Sequence, residues 1–401
     1  MLGWPVGCAA PGAGAAADPA TVRPGIEVLL ADSAGMVRDR RVGLVTNQSG
    51  VDASGVSNVV RLRAAGVRLV ALFSPEHGFR GAAEPGVAVA SSVDSATGLP
   101  IYSLYGRTSA PTAEMLAGID VLLVDLQDAG ARYYTYLTTT VDVMKAAGAS
   151  RVPVVVLDRP NPIGGRVQGN VLEEAHITTV GRLAVPMRHG LTLGEQARLA
   201  RADLDLSVDL AVVPAAGWRR SVTFDRTGLP FIPPSPNLRT LESLFHYPGT
   251  CLFEGTNLSV GRGSDAPFEQ IGAPWLDPAA VLRTFRSAGL PGVRAHAVRF
   301  TPRMPGDGKY ADTVLAGIRL EVTDRDTYDP PATAVHLLAA IHGRHPKEFG
   351  WVPKHFDRLA GTGSLRAAIE AGTDPGAIVR SWEPARRAFL ERRRGALLYP
   401  E

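Results

Sequence analysis

The chain of 401 residues contains only two cysteines, Cys8 and Cys251, which excludes a disulfide framework and a zinc site built from several thiolates. No apolar run approaches the roughly 18–20 residues that a membrane-spanning helix requires. The sequence has no basic stripe interleaved with aromatics, and its net charge is only +3, so nucleic-acid binding has little support. The apolar fraction of 45% is ample for packed cores.

Signatures of common cofactors and hydrolytic sites are also missing. No G-x-G-x-x-G motif follows the first apolar run, and the Gly-rich loop at 254–263 lacks the Lys-Ser/Thr ending of a nucleotide-binding loop. The sequence contains no H-E-x-x-H, paired-cysteine or G-x-S-x-G motif. We therefore expect no cofactor and no metal, although an Asp/His site assembled from distant loops stays open as an alternative.

The chain does contain five short apolar runs, each of which ends in polar residues: Val42–Val45, Leu69–Phe73, Val121–Val124, Val154–Leu157 and Leu210–Val213. Continuous runs of this kind are typical of parallel strands that are buried on both faces. Groups that follow the carboxyl ends of such strands line the crevice in which open α/β sheets bind ligands. The sequence therefore predicts an active site at one edge of a sheet.

Stretches with helical periodicity separate these runs. Asn58 is predicted to cap a helix that continues to Ala65, and Thr192 with Glu195 forms a capping box. The alternation of strands and helices predicts right-handed crossovers and a Rossmann-like, largely parallel α/β domain over residues 24–235. Residues 231–237 break the pattern, and a smaller α+β auxiliary domain is predicted over residues 236–401.

Residues 1–23 are rich in Ala, Gly and Pro and predict a signal-like or disordered tail. Ala15–Asp18 resembles the cleavage site of an export signal, and Gly7-Cys8 resembles the end of a lipoprotein signal. The alternative is a disordered tail on a cytoplasmic protein. We expect export to the cell surface, the periplasm or the medium because of the function argued below. Lipidation of Cys8 and the oligomeric state stay open.

The loop Ser74–Gly81 places Glu76, His77 and Arg80 within eight residues of one another after the second apolar run. A carboxyl group at a strand end that faces a crevice suits a general acid, because partial burial raises its pKa toward the working pH. The alternative is an ion pair between Glu76 and Arg80 that stabilises the loop.

The third run is followed by Asp125 and Asp128, and then by Arg132, Tyr133 and Tyr134. Aromatic rings beside carboxylates suit a sugar, because the rings pack on its C–H faces while the carboxylates hold its hydroxyls. Arg132 can hold a substrate carboxylate through two hydrogen bonds. For any single tyrosine, packing of the next helix is the alternative.

The fourth run leads into a rigid loop, 158–165, which contains Arg159 and Asn161 together with two prolines and two glycines. Such a loop shapes a pocket more often than it performs chemistry. His189 precedes the capped helix and either faces the site or has a structural role.

In the second domain, the loop at 254–263 supplies Glu254 with Asn257 and Arg262 as amide and guanidinium neighbours. The sequence thus predicts a cleft rich in carboxylates and aromatics without a cofactor signature. That combination favours glycoside hydrolysis, in which a protonated carboxyl serves the leaving oxygen and a second group serves the anomeric centre or its water.

Eight motifs in a fixed order resemble those of a known family: Thr46–Gly50, Ser74–Gly81, Asp125–Asp128 with Gly130–Tyr136, Leu157–Pro162, Arg188–Thr192, Pro234–Asn237, Leu252–Asn257 and Phe356–Gly361. The family is the NamZ-type exo-acting β-N-acetylmuramidases, glycoside hydrolases formerly catalogued as a domain of unknown function. The resemblance runs from about residue 25 to the C-terminus.

The resemblance implies a Rossmann-like domain, an auxiliary domain and an active site in the cleft between them. It also implies release of N-acetylmuramic acid from the non-reducing ends of peptidoglycan fragments. By this analogy Glu76 is the first choice for the general acid, and Glu254, Asp125 and Asp128 are candidates for the second role. Carboxyl separations of about 5 Å favour retention of configuration, and about 6.5–9.5 Å favour inversion.

The lactyl carboxylate of such a substrate gives a physical reason for arginines in the cleft, and the candidates are Arg80, Arg132, Arg159 and Arg262. The motifs also supply further candidates for substrate binding: Asn47, His77, Tyr133, Tyr134, Asn161, His189, Asn237 and Asn257. Gln168 departs from the acidic residue that the family tends to carry after the Pro-Asn-Pro loop, which puts a minor pocket contact in doubt.

Two other functions stay open at this point. A non-catalytic module that binds or senses muropeptides could use the same scaffold, although the chain keeps every candidate carboxylate. A metal-dependent hydrolase could use His77 with the two aspartates. For the leading hypothesis we expect N-acetylmuramyl-terminated, peptidoglycan-derived saccharides as partners, with no nucleic acid and no transmembrane span.

Overall fold

A computed structural model describes residues 21–401 of the chain. Most of the predicted tail, including Cys8 and Ala15–Asp18, lies outside the described residues. Val22 is buried, and the N–H of Arg23 donates to the carbonyl of Ala216 at 3.0 Å, so the chain is packed against the fold from this point. In the described part, no helix combines the length and apolarity needed to cross a membrane.

The strands within residues 21–401 are β1 (Arg41–Thr46), β2 (Arg68–Ser74), β3 (Ser92–Val93), β4 (Pro100–Ser103), β5 (Val121–Asp125), β6 (Val154–Leu157), β7 (Gln168–Val171), β8 (Pro186–Arg188), β9 (Leu210–Val213), β10 (Gln270–Ala273), β11 (Val293–Phe300) and β12 (Leu315–Val322). A seven-stranded sheet has the order β3-β4-β2-β1-β5-β6-β9. Its neighbours pair in parallel except β3 and β4, which are antiparallel. All five predicted runs are strands of this sheet.

The helices of the described part are α1 (Gly25–Asp32), α2 (Asn58–Ala64), α3 (Ala113–Leu116), α4 (Tyr136–Ala149), α5 (Leu193–Asp203), α6 (Leu241–Thr250), α7 (Pro278–Ser287), α8 (Pro330–Arg344), α9 (Pro353–Ala360), α10 (Ser364–Glu370), α11 (Pro375–Ser381) and α12 (Glu383–Arg392). The predicted capping box is confirmed, because Thr192 and Glu195 each accept the other's backbone N–H. The predicted cap of α2 is wrong. Ser57 caps this helix by accepting the N–H of Val59, and the Asn58 side chain instead donates to Asp125.

One face of the large sheet packs against α1 and α2 through a cluster that includes Ile26, Leu44 and Leu62. The other face belongs to an apolar core that continues through α4 into α6 and α8, with Val124 and Val335 among its members. Because this core is continuous, burial of the same apolar surface holds the sheet and the later helices together.

The part of the chain after residue 240 forms a three-stranded antiparallel sheet of order β10-β12-β11, surrounded by α6 to α12. Strands β7 and β8 form a separate antiparallel ribbon. Near the C-terminus the chain returns to the large sheet, where Tyr399 Oη donates to Asp158 at 2.7 Å. The predicted fold class, a Rossmann-like sheet with a smaller α+β part, is confirmed.

Candidate active site

A cleft with a volume of about 140 Å³ opens to solvent where the loop after β2 faces the second part of the chain. The sheet part contributes Glu76, His77, Tyr133, Tyr134 and Thr135 to its lining, and the second part contributes Tyr247, Cys251, Glu254, Arg262, Phe268, His355 and Arg358.

Glu76 lies two residues beyond β2 and is 7% exposed. Its Oε1 accepts the N–H of Gly86 at 2.9 Å, and its Oε2 accepts the hydroxyl of Thr135. The pKa of Tyr105 is raised to about 12, mainly by burial and secondly by the negative charge of Glu76. Glu76 is therefore a buried carboxyl group that two donors hold in a fixed orientation at the cleft. The alternative ion pair with Arg80 does not form in the described structure.

His77 has a φ of 71°, in the left-handed region that non-glycine residues rarely occupy. Its Nδ1 lies 2.8 Å from the carbonyl oxygen of Ala83. A carbonyl can only accept, so Nδ1 carries the proton, and Nε2 of the neutral ring is an acceptor. Strained backbone of this kind clusters at functional sites. Phe268, on another wall of the cleft, has a φ of 65°.

Glu254 approaches the same cleft from the second part of the chain. Its Oε1 accepts two hydrogen bonds from Arg262, from Nε at 2.8 Å and from Nη2 at 2.6 Å. Its Oε2 lies 3.4 Å from the thiol of Cys251. Burial opposes ionisation of Glu254, but the charge and hydrogen bonds of Arg262 outweigh it, and the net effect lowers the pKa of this carboxyl. Glu254 is therefore ionised at neutral pH.

The position of Glu254 follows from the packing of the short 3₁₀ helix Cys251–Gly255 against α9. A Cβ on Gly255 would lie 2.4 Å from the Cα of Phe356, so only glycine permits this approach. Lys309 Nζ donates to the carbonyl oxygens of Glu254, Thr256 and Leu258 at 3.1, 2.7 and 3.0 Å. These contacts fix the backbone that carries the Glu254 carboxylate.

One wall of the cleft is aromatic. Tyr133 packs edge-on to Tyr247 with ring centroids 5.9 Å apart, and Tyr247 packs edge-on to Phe268 at 4.9 Å. The hydroxyls of Tyr133 and Tyr134 donate to the carbonyl oxygens of Pro248 and Pro234 at 2.8 and 2.7 Å. Tyr133 and Tyr134 therefore both pack in the interior and line the cleft, so contact with a sugar and structural packing are not exclusive for them.

Of the sixteen predicted site residues, the structure brings six into the cleft lining: Glu76, His77, Tyr133, Tyr134, Glu254 and Arg262. Asp125 is not among them, because it is fully buried in an ion pair with Arg159 and also accepts from Asn58. Arg159 Nη2 donates to the carbonyl oxygen of Val51 at 2.7 Å. This pair joins the end of β5 to the loop after β6 beneath the surface, and the hydrogen bond to Val51 ties in the segment after β1.

Asp128, His189 and Asn161 also lie outside the cleft lining. Asp128 accepts the N–H of Gly130 at 2.8 Å, and its carboxylate lies 3.4 Å from Nε2 of His189. His189 is fully buried, and its Nδ1 accepts the N–H of Leu191 at 3.1 Å. Asn161 donates to the carbonyl oxygen of Leu191 at 2.8 Å. These three side chains stabilise the loops behind the cleft.

Arg132 is buried and donates to main-chain carbonyl oxygens, among them those of Asn170 at 2.6 Å and Leu359 at 3.0 Å. It also donates to the carbonyl of Ala360, so it caps the C-terminal end of α9, where the helix dipole favours a cation. Arg80, by contrast, is exposed and does not line the cleft.

The three remaining predicted asparagines make structural hydrogen bonds. Asn47 donates to Tyr136 Oη at 2.6 Å. Asn237 donates to Glu84 at 3.2 Å, and Asn257 donates to the carbonyl oxygen of Glu348 at 2.8 Å. Gln168 also lies away from the cleft lining, where it accepts a hydrogen bond from Arg188 at 2.8 Å.

Several lining residues were not predicted: Thr135, Tyr247, Cys251, Phe268, His355 and Arg358. Thr135 lies within the motif Gly130–Tyr136 and Arg358 within Phe356–Gly361, so these two motifs could have indicated them. Tyr247, Cys251, Phe268 and His355 follow no strand end with a polar cluster, and no local pattern indicated them. In residues 21–401, no group of three or more His, Cys, Asp or Glu side chains is arranged to hold a metal ion.

Comparisons with known proteins agree with the motifs. Residues 42–242 match the family model "Exo-beta-N-acetylmuramidase NamZ, N-terminal", and residues 245–399 match the corresponding C-terminal model. The chain is 43% identical over 381 residues to "Peptidoglycan beta-N-acetylmuramidase NamZ" of Bacillus subtilis, which covers 94% of this chain and 91% of that protein.

Two solved structures of DUF1343 family proteins from Bacteroides fragilis have the same fold. One superposes with a TM-score of 0.86 at 33% identity and covers 94% of this chain and 99% of that chain. The other has a TM-score of 0.78 at 30% identity and covers 95% and 100%. The two family models together span the sheet, the second part and both sides of the cleft, so the chain belongs to the NamZ family of exo-β-N-acetylmuramidases.

Proposed function

We propose that this protein is a glycoside hydrolase that releases N-acetylmuramic acid from the non-reducing ends of peptidoglycan fragments. Family membership and the named relative from Bacillus subtilis support the substrate class and the exo mode. One observation carries the proposal for the chemistry: Glu76 from the sheet part and Glu254 from the second part line the same cleft. Most glycoside hydrolases use such a pair of carboxyl groups to break the glycosidic bond.

Glu76 is the proposed general acid, which donates a proton to the glycosidic oxygen as the bond breaks. The hydroxyl of Thr135 donates to Oε2 of Glu76, and the N–H of Gly86 donates to Oε1. Because a carboxyl oxygen has two lone pairs, these hydrogen bonds orient the group and still leave room for the proton that it transfers.

Glu254 is the proposed second group. Because Arg262 keeps it ionised, it can stabilise positive charge at the anomeric carbon, attack that carbon, or activate a water. Arg262 binds only Oε1, so Oε2 is the oxygen that is free to act. The aromatic wall of Tyr133, Tyr247 and Phe268 offers apolar surface to the sugar ring.

Asp125 and Asp128 are proposed as supporting residues that hold the loops carrying the site. Asp125 neutralises Arg159 in the interior, and Asp128 organises the turn at Gly130 that leads to the cleft tyrosines. We also propose that the protein acts outside the cytoplasm, because that is where peptidoglycan lies. Fractionation of cells followed by mass spectrometry of the mature N-terminus tests this placement.

The function is tested with two purified disaccharides of opposite order, one with N-acetylmuramic acid and one with N-acetylglucosamine at the non-reducing end. We expect release of N-acetylmuramic acid from the disaccharide that carries it at the non-reducing end, and no cleavage of the other disaccharide. Mass spectrometry detects the released sugar. Proton NMR of the first product formed gives the anomeric configuration and so distinguishes retention from inversion. Tight binding without release of any sugar would instead identify a muropeptide-binding module.

A further inference from the structure

The cleft contains a guanidinium group that is not engaged in an ion pair. Arg358 lies on α9 and lines the cleft. Its Nε is buried and has no hydrogen-bond partner among the described residues. Within residues 21–401, no carboxylate oxygen lies within 4.0 Å of its side-chain nitrogens. A guanidinium on the lining of a cleft with no carboxylate in reach carries a positive charge that an anionic ligand in the cleft can neutralise, so this arrangement points to an anion.

The other arginine candidates for binding a substrate anion are committed or lie elsewhere. Arg262 is bound to Glu254, and Arg159 is paired in the protein interior. Arg132 is surrounded by main-chain carbonyls, and Arg80 is exposed outside the lining. Among the arginines of the described cleft lining, Arg358 is therefore the one whose charge is not neutralised.

His355 holds the Arg358 side chain in place from one turn earlier on α9. The Nη2 of Arg358 donates to Nδ1 of His355 at 2.7 Å. A guanidinium only donates, so Nδ1 is an acceptor and the imidazole is neutral. The pKa of His355 is lowered, mainly by burial and secondly by the positive charge of Arg358, and this favours the neutral form. The guanidinium is thus oriented without being neutralised.

The carboxyl groups of the cleft repel a negatively charged substrate. Glu254 is ionised and Glu76 is a second carboxyl group on the lining, so a substrate carboxylate needs a cation of its own. We propose that Arg358 forms the subsite that binds the lactyl carboxylate of the substrate and thereby selects muramyl over glucosaminyl sugars. This inference rests on the proposed function, because it assigns one end of the proposed substrate to a side chain.

The test compares kcat/KM for two 4-nitrophenyl glycosides that differ only in the lactyl group, the β-N-acetylmuramide and the β-N-acetylglucosaminide. In wild type we expect a strong preference for the muramide. Arg358→Gln should lower kcat/KM for the muramide by about 10- to 100-fold, through KM, and leave the glucosaminide within about twofold. Arg358→Lys should keep part of the preference for the muramide over the glucosaminide. Arg80→Gln is the matched control, because it removes an exposed arginine outside the cleft lining, and it should keep the full preference.

A second measurement changes the substrate and can be made on wild type even if the variant does not fold. The muramide in which the lactyl carboxylate is converted to a primary amide keeps its shape and loses its charge. Wild type should prefer the acid over the amide by the same factor that Arg358→Gln loses, and Arg358→Gln should treat the two alike. A wild type that hydrolyses acid and amide equally well, or an Arg358→Gln variant that keeps the full preference, overturns the subsite.

These outcomes separate the subsite from the proposed function. If wild type hydrolyses the muramide but its preference does not depend on Arg358, the function stands and only the subsite fails. If wild type hydrolyses neither glycoside nor the disaccharide, the function itself fails, and the subsite fails with it.

Discussion

Arg262 donates two hydrogen bonds to the same oxygen of Glu254, from Nε at 2.8 Å and from Nη2 at 2.6 Å. The second oxygen of that carboxylate is left with only a thiol contact to Cys251 at 3.4 Å. The pair is nearly buried, with side-chain exposures of 10% and 17%. Arg262 thus lowers the pKa of Glu254 through one oxygen and makes no hydrogen bond to the other.

Removing the Arg262 cation should shift the acidic limb of the pH profile. Burial raises the pKa of Glu254 and Arg262 is the largest influence that lowers it, so Arg262→Met removes the main opposition to burial and should raise that pKa. Glu254 is then protonated at higher pH, and kcat/KM should begin to fall at a higher pH than in wild type. Arg262→Lys keeps the charge and should stay close to the wild-type profile. An unshifted limb in Arg262→Met would show that Glu254 does not control it.

Thr135 should matter for the orientation of Glu76. Its hydroxyl donates to Oε2 of Glu76, so Thr135→Val leaves the carboxyl with only the hydrogen bond from the N–H of Gly86. We expect kcat/KM at neutral pH to fall about tenfold. Thr138→Val is the matched control, because its hydroxyl donates to the carbonyl oxygen of Thr179 instead. Equal kcat/KM values for the two variants would remove Thr135 from the mechanism.

The buried pair of Asp125 and Arg159 should matter for stability. Arg159→Met leaves the Asp125 carboxylate buried without its partner, which should lower the free energy of unfolding by about 3–5 kcal/mol. Arg41→Met breaks an exposed pair with Asp120 and should change little. Urea denaturation followed by circular dichroism measures both. If Arg159→Met keeps wild-type stability but loses turnover, Asp125 belongs to the chemistry after all.

Asp158 should make stability depend on pH. Burial raises the pKa of this carboxyl from 3.8 to about 6, although hydrogen bonds from Thr192 and Tyr399 oppose the shift. The folded state therefore binds the proton more tightly than the unfolded state, and the stabilisation is complete below pH 3.8 and lost as the pH rises through about 6. The difference in unfolding free energy between wild type and Asp158→Asn should fall by about 2–3 kcal/mol between pH 4 and pH 7. A difference that is flat across this window contradicts the shift.

The sheet and one half of the site could be predicted from local sequence. Uninterrupted apolar runs such as Val121–Val124 identify strands that are buried on both faces, and the polar residues after them mark the edge of the sheet. Glu76, which follows such a run at β2, lies in the cleft.

The rule that polar residues after a strand mark the site does not predict which of them are exposed to the cleft and which are buried beneath it. Strands β5 and β2 both lie next to the central strand β1, but Asp125 is still the last residue of β5 and is fully buried, whereas Glu76 lies two residues past the end of β2, in the loop that lines the cleft. The other half of the cleft depends on packing between segments that are distant in sequence. Arg358 and Glu254 line the same cleft because α9 packs on the 3₁₀ helix at Gly255, and no local pattern encodes that packing.

The most direct test of the two-carboxyl mechanism is the dependence of turnover on the leaving group. A general acid is needed most when the leaving group is a poor one, such as a sugar hydroxyl, and least for 4-nitrophenol. We predict that Glu76→Gln lowers kcat for the muramyl disaccharide by about 10²–10⁴-fold but affects the 4-nitrophenyl muramide far less, whereas Glu254→Gln lowers both. Equal losses on the two substrates in Glu76→Gln, or no loss at all, would contradict the assignment of Glu76 as the acid.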